Sequence, residues 1–192
     1  APYKPAPRHR GGWPLEPASA IPALNEADVS DKPAWIQDNE LVSVLEQRRI
    51  LTRQHETIRS VDDAVGTIVD ALGDRLDNTL IVYLSDNGYM LGAHRIIGKN
   101  VPHRSSTEVP MFMRWDGVLP AGTTSSRVTT NIDLTATIAE ATGTSWPMAG
   151  LSFLSQNRTG TLLEQLASHQ HPAYCGWRTT NYLYVEYSNN QG

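Results

Sequence analysis

The stretch Leu80 to Lys99, LIVYLSDNGYMLGAHRIIGK, runs an apolar strand directly into Ser85-Asp86-Asn87-Gly88 and then adds His94 and Lys99. Open α/β proteins build their sites at the carboxyl ends of such strands. A carboxylate and an amide side by side offer oxygen ligands to a hard cation, and Gly88 permits the backbone to leave the sheet. Taken alone, Ser-Asp-Asn-Gly also reads as an ordinary turn, because these residue types dominate turns.

Outward from that strand the chain alternates. Over residues 39–72, Ile58, Val61, Val65, Ile68 and Leu72 recur at steps of three and four, which predicts a helix burying one apolar stripe against the sheet. Gly73 stops it, and Asp77-Asn78 turns the chain into a strand over 79–84. VPMFMR at 109–114 predicts a second strand in the same sheet, and the β-branched run 123–130 a short third. A helix capped by Asn131 or Asp133 runs through Thr142 to Gly143. A short helix is expected within 160–168, followed by a hairpin of 173–178 and 182–187. Seven prolines before residue 34 predict an irregular surface segment. The division is therefore 1–38 irregular, 39–145 alternating helices and strands of α/β type, and 146–192 a polar loop followed by the hairpin.

The 192 residues are 40% hydrophobic with a net charge of −4, which gives no basic surface for nucleic acid. No apolar run is long enough for a membrane span, and the amino terminus is unlike a secretory signal. The single cysteine, Cys175, excludes an internal disulfide framework and reads as a small packing hydrophobe. His55 and His103 read as surface polar groups, and His169 and His171 lie in a polar loop without ligand spacing. Trp35, Trp115 and Trp177 read as packing anchors. Asn157-Arg158-Thr159 fits a glycosylation triplet that is common by chance.

Several motifs arrive in one family's order: Asn25-Glu26-Ala27-Asp28-Val29-Ser30-Asp31-Lys32-Pro33, the helix with Ser60-Val61-Asp62, Asp86-Asn87-Gly88, Gly92-Ala93-His94-Arg95, Gly98-Lys99, Val109-Pro110 and Asn131-Ile132-Asp133-Leu134. Together they resemble the sulfatase family of the alkaline phosphatase-like superfamily, in particular bacterial sulfatases similar to N-acetylglucosamine-6-sulfatases. The resemblance implies a partial alkaline phosphatase-like α/β sandwich with helices on a mixed sheet over 39–145, the carboxyl-terminal part of the catalytic domain, and the start of a small antiparallel carboxyl-terminal subdomain over 146–192. It also implies Ca2+ held by Asp86 and Asn87, Lys99 on a sulfate oxygen, and His94 either contacting substrate or bracing its loop.

It further implies a formylglycine nucleophile from a Cys/Ser-x-Pro/Ala-x-Arg motif upstream of this region. Cys175-Gly176-Trp177-Arg178 does not fit that motif, so no nucleophile is assigned here, and the chain reads as the carboxyl-terminal part of a catalytic domain. The expected partner is a sulfated small molecule or glycan. The resemblance points to a secreted or periplasmic setting that the chain itself does not specify.

The chain departs from the family at two places. Ala93 replaces the usual Glu of Gly-Glu-His-Arg. In the family's P-Y-E-E-S-x-R-V-P pattern the Tyr position holds His103, the two Glu positions hold Arg104 and Ser105, and the Arg before Val-Pro is Glu108. These departures keep open a sulfatase-like pseudoenzyme, and the shared anion chemistry keeps open phosphodiester or phosphonate hydrolysis.

Overall fold

A computed structural model describes residues 3–168 and 171–188. They form two compact units, Ala1–Lys99 with Glu108–Ala121, and Asn100–Thr107 with Gly122–Gly192. His169 lies outside the described residues.

In the first unit the polypeptide opens with irregular chain broken by single 3-10 turns at Pro7–His9 and Ala18–Ala20, then a one-turn helix α1 (Ala34–Gln37). The long helix α2 (Val44–Leu72) starts at Ser43, whose side chain accepts from the Glu46 N–H, and ends at Gly73 with φ +51°. The predicted helix over 39–72 thus begins later, because the Ser43 cap sets its first turn.

One face of α2 docks the proline-rich segment through polar groups. Arg48 Nε donates to Glu16 O, Thr52 Oγ1 accepts from Glu16 N–H, His55 Nδ1 lies 2.7 Å from Glu16 Oε1, and Asp63 Oδ2 takes both Arg8 and His9. Positions 48, 52, 55 and 63 lie four, three and eight residues apart, steps that keep them on one face. His55 is therefore a half-buried partner of Glu16 rather than a bare surface group.

The apolar stripe lies on another side of the helix and stays exposed, Ile68 at 58%. This corrects the expectation that the sheet covers it. The segment binds through hydrogen bonds and ion pairs, for which the polar face is the matching surface.

Strand β1 (Ile81–Leu84) pairs antiparallel with a later strand, as expected for two strands in one sheet. The register pairs Leu84 with Met111 and Ile81 with Arg114. Between them in sequence, β2 (Met90–Leu91) and β3 (Ile97–Gly98) make a two-rung hairpin, whereas α3 (Arg104–Thr107), one turn in the altered loop, belongs to the second unit. The partner of β1 is β4 (Met111–Arg114), whose Phe112 is 66% exposed. The unit's core collects Ile21, Val29, Ile36, Met90, Leu91, Ala93 and Ile96.

In the second unit α4 (Asn131–Ala141) starts after Thr130, whose N–H is held by Asp133 Oδ2, and stops before Gly143. Asp133 is more than an N-terminal capping group. It is 1% exposed, and it takes the Arg158 guanidinium and the Leu151 N–H as well. Burial works against its ionisation, but these donors outweigh it and hold its carboxyl below the ordinary range. Arg158, the middle residue of the glycosylation triplet, is thereby turned inward.

The run 123–130 contributes a single bridge, Val128 to Arg158. Residues 160–168 were expected as a helix, but they contain β5 (Gly160–Gln165), paired antiparallel with β6 (Tyr174–Thr179), which pairs with β7 (Leu183–Tyr187). Six cross-strand partners on β6 override the weak helical preference of Leu, Glu and Gln.

The expected hairpin is β6–β7, so this unit carries a three-stranded antiparallel sheet. A Cβ on Gly160 would strike the Trp177 indole, so Trp177 packs over that glycine although 46% exposed. Cys175 is exposed, correcting its reading as a packing residue. It faces outward because β6 alternates and the buried positions fall to Tyr174 and Gly176. His171 is buried, with Nδ1 3.2 Å from the Pro172 carbonyl.

Candidate metal and anion site

β1 releases the chain after Leu84, where its pairing with β4 ends, and Ser85-Asp86-Asn87-Gly88 folds back on itself. Ser85 Oγ donates to the Asn87 carbonyl at 3.0 Å, and the Asn87 N–H donates to Asp86 Oδ1 at 2.9 Å. The Asn87 side-chain NH2 donates to the Gly88 carbonyl at 2.8 Å. That bond fixes the amide plane and leaves Oδ1 for another partner. The partner is Lys99, whose Nζ donates to it at 2.8 Å. Lys99 leaves β3 between Gly98 at φ +111° and Asn100 at φ +69°, two left-handed positions that bend the chain toward Asn87.

Asp86, Asn87 and Lys99 therefore form one cluster within the first unit, with Asp86 and Lys99 exposed and Asn87 half-buried. The donor set suits a hard cation: a carboxylate and an amide oxygen are two of the six to eight oxygens that calcium takes. Among the described residues no group of three or more His, Cys, Asp or Glu could hold a metal ion. The fit is of ligand type, and two side chains do not complete a coordination sphere.

The remaining candidate, His94, is placed elsewhere. It sits in the 92–96 turn at the tip of the β2–β3 hairpin, while Lys99 follows the base. Its Nδ1 lies 2.6 Å from Glu26 Oε2, and the same oxygen is 3.5 Å from Lys32 Nζ. The hydrogen bond from His94, with the Lys32 charge, holds the Glu26 carboxyl below its ordinary range. This contact ties the 92–96 turn to the Asn25–Pro33 segment. Sequence reasoning missed Glu26, because the pairing joins residues 68 positions apart. Its only signal was its place in the Asn25–Pro33 motif.

The sulfatase family profile matches residues 16–144. An arylsulfatase of Volvox carteri is 34% identical over 157 residues, covering 72% of this chain and 23% of its own length. An N-acetylglucosamine-6-O-sulfatase of Bacteroides thetaiotaomicron is 29% identical over 134 residues, covering 68% and 23%. The chain thus spans about a quarter of the length of these relatives. A solved structure of a protein in complex with its substrate D-glucosamine-2-N,6-O-disulfate matches with a TM-score of 0.67 at 24% identity, over 80% of this chain and 35% of that one. With the profile spanning most of its length and the α/β fold shared, the chain belongs to the sulfatase family.

Proposed function

We propose that these residues form the cation- and anion-binding part of a sulfate-ester hydrolase acting on a sulfated sugar. The observation that carries the reading is the 2.8 Å bond between Lys99 Nζ and Asn87 Oδ1, which brings an ammonium to the Asp86–Asn87 oxygens at the end of β1. The named activity of the N-acetylglucosamine-6-O-sulfatase relative and the sugar disulfate bound by the structural neighbour support a sugar substrate.

A divalent cation at such a site polarises a sulfate oxygen and lowers the pKa of an attacking hydroxyl. Asp86 would hold it by charge and Asn87 by its carbonyl dipole, with Ser85 and the Asn87 N–H fixing the loop. Lys99 would neutralise charge on a sulfate oxygen as a point cation. No Cys/Ser-x-Pro/Ala-x-Arg motif occurs in the 192 residues, so this reading requires a nucleophile from outside them. The chain alone should accordingly show no turnover of an aryl sulfate, since metal and lysine contacts leave the S–O step without a covalent nucleophile.

The test is calorimetric titration with calcium of a complete protein carrying this region, because Asp86 and Asn87 alone do not fill a calcium sphere. Asp86→Ala should nearly abolish binding, because a full charge is lost. Asn87→Ala should weaken it by ~1–3 kcal/mol. Lys99→Ala should not weaken it, since the ammonium shares the Asn87 oxygen with the incoming cation. Calcium affinity unchanged in Asp86→Ala would reduce Ser85–Gly88 to a turn.

A further inference from the structure

The segment around Glu26 grips the tip of the β2–β3 hairpin through both backbone and side chains. The Asn25 N–H donates to the Gly92 carbonyl and the His94 N–H to the Ala23 carbonyl, both at 3.0 Å, and Leu24 bridges Ala93. Arg95 donates through Nε to Glu26 O at 3.1 Å and through Nη2 to Ala27 O at 2.9 Å. The approach is close enough that a Cβ on Gly92 would lie 2.5 Å from Val42 Cγ2 and 2.7 Å from Leu24 Cδ1.

Four non-glycine residues of this contact are left-handed: Ala23 at φ +51°, Asn25 at +50°, His94 at +52° and Arg95 at +63°. Side chains rarely tolerate that conformation, and it persists where surroundings over-determine it. The hairpin itself has only two rungs, Met90 with Gly98 and Leu91 with Ile97, too few to hold its own geometry in water. Its direction is therefore set by what grips its tip, and Lys99 leaves directly from its base.

We infer that Glu26 is a positioning residue, which by holding His94 Nδ1 fixes the β2–β3 hairpin and thereby the Lys99 ammonium against Asn87. This rests on the reading of Asp86, Asn87 and Lys99 as the ion-binding cluster. Glu26 joins the grip by a charged side chain at 2.6 Å from the imidazole, where the bonds named above run between backbone groups or from Arg95 to backbone carbonyls. His94 serves as the handle, held as the Nδ1–H tautomer because its neighbour there is a carboxylate that only accepts.

The test is nuclear magnetic resonance on the intact 192-residue chain. In the wild type, His94 should show the nitrogen pattern of a protonated Nδ1; a ring protonated on Nε2 alone would overturn the inference without any variant. Lys99→Ala defines the displacement of the Asn87 side-chain amide signals when the ammonium is gone. Glu26→Ala should produce the larger part of that displacement, His94→Ala the same, and the double variant no more than either, because each breaks the same hydrogen bond. Glu40→Gln, an exposed control, should leave the signals in place.

A Glu26 that merely stabilises the fold would lower the melting temperature while leaving the Asn87 signals where they are, and that result would also overturn the inference. Calcium titration of a complete protein carrying this region separates the two readings. No binding there with the coupling intact sinks the ion-site reading, and binding with Asn87 indifferent to Glu26→Ala sinks this one.

Discussion

Asp133 and Arg158 show how much a single buried contact can be asked to hold. With Asp133 1% exposed and bound to a guanidinium and two backbone N–H groups, removing the carboxylate leaves Arg158 without its charge partner inside the second unit. Asp133→Ala should destabilise by ~3–5 kcal/mol, read by chemical denaturation, and a loss under one would show that water already reaches the pair. Its depressed carboxyl adds stability above the ordinary carboxylate range, lost as pH falls through the lowered folded value. At this scale the turn at Asp86 and Asn87 was legible because a strand running into Asp-Asn-Gly is a local pattern. The Asp133–Arg158 and Glu26–His94 pairs were not, since each joins residues that meet only after folding.

Helix α2 carries two chemistries on two faces, and only one is engaged within the described structure. Ile68→Lys should change stability by no more than about 0.5 kcal/mol, whereas Ile36→Ala, at a fully buried position, should cost ~2–5 kcal/mol. Denaturant titration of both checks the contrast. The polar face predicts a pH response. Hydrogen bonds from Trp13 and His55 depress Glu16, and Arg8 followed by His9 depresses Asp63. The docking of segment 3–20 should therefore persist through the ordinary carboxylate range and fail only as pH drops below it. Amide hydrogen exchange of that segment against pH reads it, and release near neutrality would contradict the assignment. Periodicity revealed the helix and both of its faces, but not which face would be docked, because periodicity records amphipathicity and not the partner. The same limit explains β5, whose Leu-Leu-Glu-Gln suited a helix until β6 lay beside it.

In the first unit Ile58, Val61, Val65 and Ile68 of α2 and Phe112 of β4 are exposed, and exposed apolar side chains of this kind bind other apolar surfaces. The native protein should therefore enhance the fluorescence of a hydrophobic dye, and Ile68→Lys combined with Phe112→Lys should reduce the signal without unfolding it. Dye-silent native protein would show that these side chains are covered in solution. Family and fold class were legible from motif order. The degree of burial was not, because composition counts apolar residues without saying which of them find neighbours. The outward-facing Cys175 gives the molecule one chemical address: a maleimide dye attached there would mark β6 alone, and stoichiometric labelling of native chain would turn the second unit's sheet into an optical reporter.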